Sequence, residues 1–346
     1  MLKAIALEAP ALAEGSNACE EAGAFPALVA ALTAHAEDAE VCQSACDTLA
    51  FITYSGTDKT FHRADAAVAA DAPLVLAEVL RSHAGNPDVC ALVCLELSNI
   101  AWGGADRRPQ ACVAVEGMAE LLVSTLRRHE DNLSVAPFVV RALKNLCFSF
   151  TLTAASSARK DLFVREGAIG ALVAVLQQHA ASGDSRVSEL FESACEALKV
   201  LSDSPARKEK CAVAIPTLVS TLKGRAADPG VVSYACGALF SIAHSSNPRR
   251  DATVAAGAIP LLRDALRDHA EDEAVCRQAA RALSNLVWTN QAHRAAAIKE
   301  GVIPYLVAAC TAPSTPFKRH NSAVGMAIAS EALMKLGYNE KGDKLA

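Results

Sequence analysis

The stretch that decides the fold is residues 257–290, GAIPLLRDALRDHAEDEAVCRQAARALSNLVWTN. It opens on Gly257, places Pro260 three residues later, runs through about ten apolar-rich residues, breaks at HAEDEA and ends in a longer apolar segment with an Asn inside it. Gly at the opening suits a left-handed residue closing a preceding short helix. Pro just inside a new helix loses nothing, because the first-turn N–H groups have no intrahelical partner. The segment therefore reads as a helix, a polar turn and a second, longer helix. NQAHRAAAIKE, just after it, supplies a short third helix before the next opening at Gly301.

The same wording recurs along the chain. GAFPALVAAL begins at Gly23, DAPLVLAEVL at Asp71, GMAELLVSTL at Gly117, GAIGALVAVL at Gly167, VAIPTLVSTL at Val213 and GVIPYLVAAC at Gly301. Successive openings, with Gly257 in its place, lie 48, 46, 50, 46, 44 and 44 residues apart. A near-constant period of this size marks a solenoid of stacked units, each unable to bury its apolar face alone. The repeats fall near 14–56, 57–104, 105–153, 154–204, 205–246, 247–290 and 291–338, with a polar tail at 339–346, and form one repeat domain over 1–346. The first is partial, reading as a degenerate cap or as a cut from a longer chain. The tail, NEKGDKLA, reads as frayed.

Composition agrees with helices packed through small side chains. Hydrophobic residues make up 52% and aromatics only 5%. A net charge of −5, with no basic stripe, argues against nucleic acid. No apolar run approaches the ~20 residues that span a bilayer, and MLKAIALEAPALA is interrupted by Glu8 and Pro10, a poor signal peptide. Twelve Cys without a C-x-x-C, several at i, i+4 (Cys42/Cys46, Cys90/Cys94), suit buried thiols in a reducing, cytoplasmic or nuclear compartment better than a disulfide framework.

The short–medium–long helix order, the GAIPxLV opening and the ALxNL ending resemble the armadillo repeat family over residues 14–338. The two-helix HEAT repeat, the rival, lacks the Gly-x-x-Pro break. LRDHAEDEAVCRQAARALSNL is also similar to the armadillo stretch of leucine-rich-repeat kinases and, more distantly, to nuclear-import adaptors and catenins. The resemblance implies an all-α armadillo-type solenoid, a right-handed superhelix of about seven three-helix repeats.

Numbering each long helix from its Asn position as zero places the side chains. Position −2 is always Leu (Leu49, Leu97, Leu143, Leu198, Leu239, Leu283, Leu333) and +1 always Leu or Ile, so these two define the core face. Positions −4, 0 and +3 fall opposite. Position 0 carries Asn99, Asn145 and Asn285. Position +3 carries Tyr54, Trp102, Phe148, Asp203, His244, Trp288 and Tyr338, six of seven aromatic in an aromatic-poor chain if His is counted. Position −4 includes Leu95, Arg141, Glu196, Arg281 and Glu331. An Asn amide both donates and accepts, so a row of them suits the backbone of an extended chain. The +3 rings either line that groove or pack as spacers against the next repeat, and the sequence leaves both readings open.

The resemblance implies that the third helices build an inner groove for an extended peptide segment. The residues expected to bind it are Asn99, Trp102, Arg141, Asn145 and Phe148 in repeats two and three, and Arg281, Asn285 and Trp288 in repeat six. Repeats four and five lack the Asn and are expected to bind weakly. Import adaptors carry Trp one turn before the Asn. Here Leu95, Arg141 and Arg281 stand there, and the two Arg favour an acidic or phosphorylated segment over a basic one. The alternative is a scaffold assembling through convex faces or repeat ends.

No catalytic constellation is evident, so the chain is expected to be no enzyme and to need no cofactor or metal. His35, His83, His129, His179 and His269 recur at the end of the second helices, where a His can bond free carbonyls of its own helix. His-x6-Cys (His35/Cys42, His83/Cys90, His269/Cys276) is not a zinc spacing. WGGADRR, from Trp102, reads as a loop into the next short helix.

Overall fold

Each repeat opening forms as its residues dictate. In the computed structural model, which describes residues 19–54, 61–102, 107–149, 151, 153–311 and 319–345, Gly117 and Gly257 are left-handed, with φ of 76° and 88°. Asp71 takes the same conformation at φ 61°, one of two non-Gly residues there among those described. At Val213 a β-branched side chain makes that conformation costly, and the chain instead passes through a 3-10 turn, Ala212–Ala214. The stretch MLKAIALEAPALA, read as a poor signal peptide, lies outside the described residues, as does most of the WGGADRR loop.

The helices follow the expected order. The first repeat contains α1 (Ala24–Ala34) and α2 (Ala39–Thr53); the second α3 (Phe61–Ala69), α4 (Ala72–Ser82) and α5 (Pro87–Ala101); the third α6 (Arg107–Ala114), α7 (Met118–Arg128) and α8 (Ala136–Cys147). The fourth has α9 (Ala154–Arg165), α10 (Ala168–Gln178) and α11 (Arg186–Leu201); the fifth α12 (Pro205–Cys211), α13 (Ile215–Gly224) and α14 (Pro229–Ala243). The sixth has α15 (Asn247–Ala255), α16 (Ala258–Asp268) and α17 (Glu273–Leu286); the seventh α18 (Gln291–Lys299), α19 (Ile303–Thr311) and α20 (Arg319–Leu336). Among the described residues there is no strand, and no helix is long and apolar enough to cross a membrane.

The chain divides into two compact units, Met1–Val175 and Leu176–Ala346. In the first, α5 packs between α2 and α8; in the second, α14 packs against α11 and α17, and α17 against α20. Third helix against third helix is thus the main packing within each unit. The Leu row at −2 and the Leu/Ile row at +1 are buried in all seven repeats, from Leu49 and Ile52 to Leu333 and Leu336. Burial of such a side chain contributes roughly 1.5–3 kcal/mol, so these two rows supply much of the core.

Four of the turns between second and third helices are closed by N-cap side chains. The carboxylates of Asp38, Asp228 and Asp272 and the amide oxygen of Asn86 accept from backbone N–H groups in the first turns of α2, α14, α17 and α5. These side chains supply partners that the helix itself cannot. The C-terminal tail is not frayed. Leu345 N–H donates to the Gly337 carbonyl, Tyr338 and Lys344 form a bridge, and Asn339 closes the turn through its Oδ1 to Lys341 and Asp343 N–H.

Candidate binding surface on the third helices

The Asn residues at position 0 do not form a free row of amides. Asn145 and Asn285 are each only 5% exposed, and Asn99 is half-buried. Asn99 Nδ2 donates to the Ala50 carbonyl at 3.2 Å, and Asn145 Nδ2 to the Ser98 carbonyl at 3.1 Å and Ser98 Oγ at 2.9 Å. Ala50 and Ser98 both stand at position −1 of the preceding third helix. Each amide therefore ties one third helix to the last, across the seam between them. Asn99 and Asn145, expected to clamp a foreign backbone, each spend an Nδ2 hydrogen bond on the neighbouring third helix. Asn285 differs. Its Oδ1 accepts from Arg250 Nε at 3.2 Å, while its buried Nδ2 has no partner among the described residues.

The rings at +3 are exposed where a spacer would be buried. Tyr54 is 59% exposed, Trp102 63% and Trp288 51%; Phe148 is half-buried. The position closes a helix, so the ring projects past the last turn. Each Trp carries a Lys from the next third helix over its face: Lys144 Nζ lies 5.8 Å from the Trp102 ring centre and Lys335 Nζ 3.7 Å from that of Trp288. Arg141 stacks on Phe138 of its own helix, 5.2 Å from the ring centre.

In the second unit the side chains of this face line a half-open pocket of about 450 Å³. Its walls come from α14 and the residues after it (Phe240, His244, Ser245), from Arg250 of α15, from Arg281, Ser284 and Asn285 of α17 with Trp288 beyond its end, and from Ile328, Glu331 and Lys335 of α20. Repeat five, expected to contribute little, supplies two of the rings. The Arg281 guanidinium sits 4.2 Å from the Phe240 ring centre. Lys335 Nζ donates to Ser284 Oγ at 2.8 Å and pairs with Glu331. Arg250 is 8% exposed and is held by Asn247 Oδ1 at 2.9 Å and Thr289 Oγ1 at 3.3 Å. Ser245 adopts φ 62°, and its hydroxyl lies 2.8 Å from His244 Nδ1. A strained non-Gly residue on a pocket rim is a position that the surrounding structure must hold.

The pocket's electrostatics are one-sided. Lining cations are Arg250, Arg281 and Lys335, against one carboxylate, Glu331. Burial and then the repulsion of Lys208, Arg250, Arg281 and Lys335 hold the His244 imidazole below its usual pKa, so it stays neutral at pH 7. Burial and neighbouring Arg277 likewise lower Arg281.

Three recurring polar features close the repeats rather than bind ligands. The His at the end of the second helix does not bond its own helix: His83 Nε2 donates to Ala36 O at 2.9 Å, His129 to Ala84 O at 2.8 Å and His269 to Ala226 O at 2.7 Å, each one repeat back. The thiols of Cys42, Cys90 and Cys276 donate to the carbonyls of His35, His83 and His269, each at 3.4 Å, which accounts for the His-x6-Cys spacing. Burial pushes the Cys90 and Cys276 thiols up to about 11, leaving them protonated and poor nucleophiles.

The third feature escaped sequence reasoning. A buried basic residue in the first helix of the next repeat seals the C-terminal carbonyls of a third helix. Arg159 donates from Nε to Leu146 O at 2.5 Å and from Nη2 to Phe148 O at 3.2 Å; Arg249 does so to Ile242 O at 2.6 Å and His244 O at 3.3 Å. Arg108 reaches Trp102 O at 2.9 Å, and His293 Nδ1 reaches Leu286 O at 3.1 Å. A helix C-terminus is the negative end of the dipole with free carbonyls, so a guanidinium fits it. The signal was a basic residue eight or nine positions before the openings at Gly117, Gly167, Gly257 and Gly301, which looks like ordinary surface charge.

No curated protein matches the chain. Among solved structures, an engineered protein is 27% identical with a TM-score of 0.62, covering 76% of this chain and 96% of that one. A designed armadillo repeat protein in complex with the peptide (KR)4 is 21% identical, TM-score 0.58, covering 73% and 98%. A structure of a phosphorylation switch controlling the interaction between cadherin and beta-catenin is 19% identical, TM-score 0.73, covering 95% of this chain and 56% of that one. Residues 246–288, which carry Arg250, Arg281 and Asn285, match the family model of the Armadillo/beta-catenin-like repeat. The chain thus has the armadillo-type α-solenoid fold, and its sixth repeat is an armadillo repeat by sequence as well as by structure.

Proposed function

We propose that this protein is a non-enzymatic binding platform that holds an extended protein segment against the third-helix face, with Arg281, Asn285 and Trp288 as its centre in the second unit and Trp102, Arg141 and Phe148 as the corresponding surface in the first. The observation that carries the reading is the pocket shared by three successive third helices, α14, α17 and α20, with an exposed Trp on its rim. Large exposed rings beside a formed pocket are what binding surfaces present and what a stack held together only by its core does not require. The likeness to a designed armadillo protein holding a peptide, and to a structure of the cadherin–beta-catenin interaction, supports a segment as the ligand. Asn99 and Asn145 act by holding the face together. The Leu95, Arg141 and Arg281 row, in place of the Trp of import adaptors, turns the preference away from basic segments; a (KR)4-like chain would meet three cations at the pocket.

The test is selection of segments from a displayed peptide library on the full chain, followed by affinity measurement. Trp288→Ala and Arg281→Ala should each weaken the selected segments at least about tenfold while the melting temperature holds. If both leave affinity unchanged and substitutions on the second helices abolish it, the protein works as a scaffold through its outer faces.

A further inference from the structure

The cations of the pocket are unequal in what they already hold. Lys335 is paired with Glu331 and bonded to Ser284. Arg250 is bonded to Asn247, Thr289 and Asn285. Arg281 is different: it is half-buried, its guanidinium carbon sits over the Phe240 ring, and no carboxylate or hydrogen-bond acceptor pairs with it among the described residues. The charges that act on it come from Arg277, another cation. A guanidinium that has lost part of its hydration and gained no anion is an unfavourable arrangement in an unliganded protein. Beside it, the buried Nδ2 of Asn285 is a second donor lacking an acceptor. The lining is therefore rich in donors and short of acceptors, the complement of an oxyanion.

We propose that this pocket is an oxyanion subsite, in which Arg281 receives the phosphate or carboxylate of one side chain of the bound segment, with Lys335 and Asn285 beside it and Trp288 against the rest of that side chain. This rests on the segment-binding reading above and says what the segment must carry. The planar, forked guanidinium matches both oxyanions in bidentate fashion, and phosphate gains more because it brings greater charge. About 450 Å³ is ample for either side chain. Four cations act on the His244 ring in addition to its burial, and an anion seated among them would relieve their mutual repulsion.

The experiment uses the full chain carrying Trp102→Phe, which leaves Trp288 as the sole indole of the two in the sequence. Its fluorescence is followed during titration with the N-acetyl amides of phosphotyrosine, phosphoserine, glutamate and glutamine, and with inorganic phosphate. The expected result is a saturable change with the three anionic side chains, tightest for the phosphorylated ones, and none with glutamine. Arg281→Gln should weaken it by about tenfold or more. Glu331→Gln, which frees Lys335 at an exposed position, should tighten it several-fold, so the idea stays testable even if the Arg281 variant folds poorly. No saturable change with any anionic side chain, equal binding by Arg281→Gln, or binding of inorganic phosphate alone would overturn the subsite. A library-selected segment that lacks Asp, Glu and phosphate, yet depends on Trp288, would remove the subsite and keep the platform. Loss of dependence on both Trp288 and Arg281 would remove both.

Discussion

At the scale of single residues, the same amide does different work in different repeats. Asn145 uses Nδ2 on both Ser98 oxygens inside the seam, so its role is cohesive. Asn145→Ala should lower unfolding free energy by about 1–3 kcal/mol, read from urea denaturation, because buried acceptors lose their donor; segment affinity should stay unchanged. Glu96 is the second residue with a sharp prediction. It is fully buried, its Oε1 accepts from Thr53 Oγ1 at 2.8 Å, and Oε2 has no partner among the described residues. Burial pushes its carboxyl up from 4.5 to about 8, against the smaller opposing pull of the Thr53 hydrogen bond. The folded state therefore binds this proton more tightly than the unfolded state. Stability contributed by the neutral acid is full below about pH 4.5 and is progressively lost as pH rises towards 8. Melting temperature measured across that window should fall more steeply for the wild type than for Glu96→Gln, whose advantage grows with pH.

At the scale of elements, the third helices were legible in their core faces and not in their ends. The Leu row at −2 and the Leu/Ile row at +1 follow from a 3.6-residue period alone, and all of them are buried as expected. What closes the helices is supplied by the next repeat. Arg159 seals α8 and Arg249 seals α14, each through two carbonyls. Arg159→Met keeps the length and apolar stem but orphans those carbonyls, and it should cost about 2–3 kcal/mol in the chemical unfolding of the full chain. An exposed Arg of similar size, Arg165, should tolerate the same change within about 0.5 kcal/mol. His83, His129 and His269 were rightly read as carbonyl partners, but the carbonyls belong to the preceding repeat. A His can reach one repeat back because stacked helices bring that loop alongside, a proximity that a linear motif does not display.

For the molecule as a whole, a net charge of −5 describes the solvated surface and conceals the local sign of the pocket. Opposite charges on the outside do not cancel the field inside a recess lined mostly by one sign of charge. Affinity for anionic segments should fall several-fold as ionic strength rises well past the point where the Debye length shrinks to about 10 Å, whereas melting of the unliganded chain should respond little; titrations at two salt concentrations check both.

Period and side-chain type were sufficient for the order of helices within a repeat, their openings at Gly and Pro, the polar turns and the buried face of every third helix. Those are properties of one unit and of helical geometry, and each is repeated enough times to be read. The fate of the opposite face was settled only in the tertiary structure. An angle around a helix axis shows which way Asn145 points, but not that Ser98 waits there to receive it. Nor does it show that Arg250, Arg281 and Lys335, drawn from three helices dozens of residues apart, share one recess with a single acid among them. Periodicity carries the direction of a side chain; only packing brings the neighbour that covers it, pairs it or leaves it open.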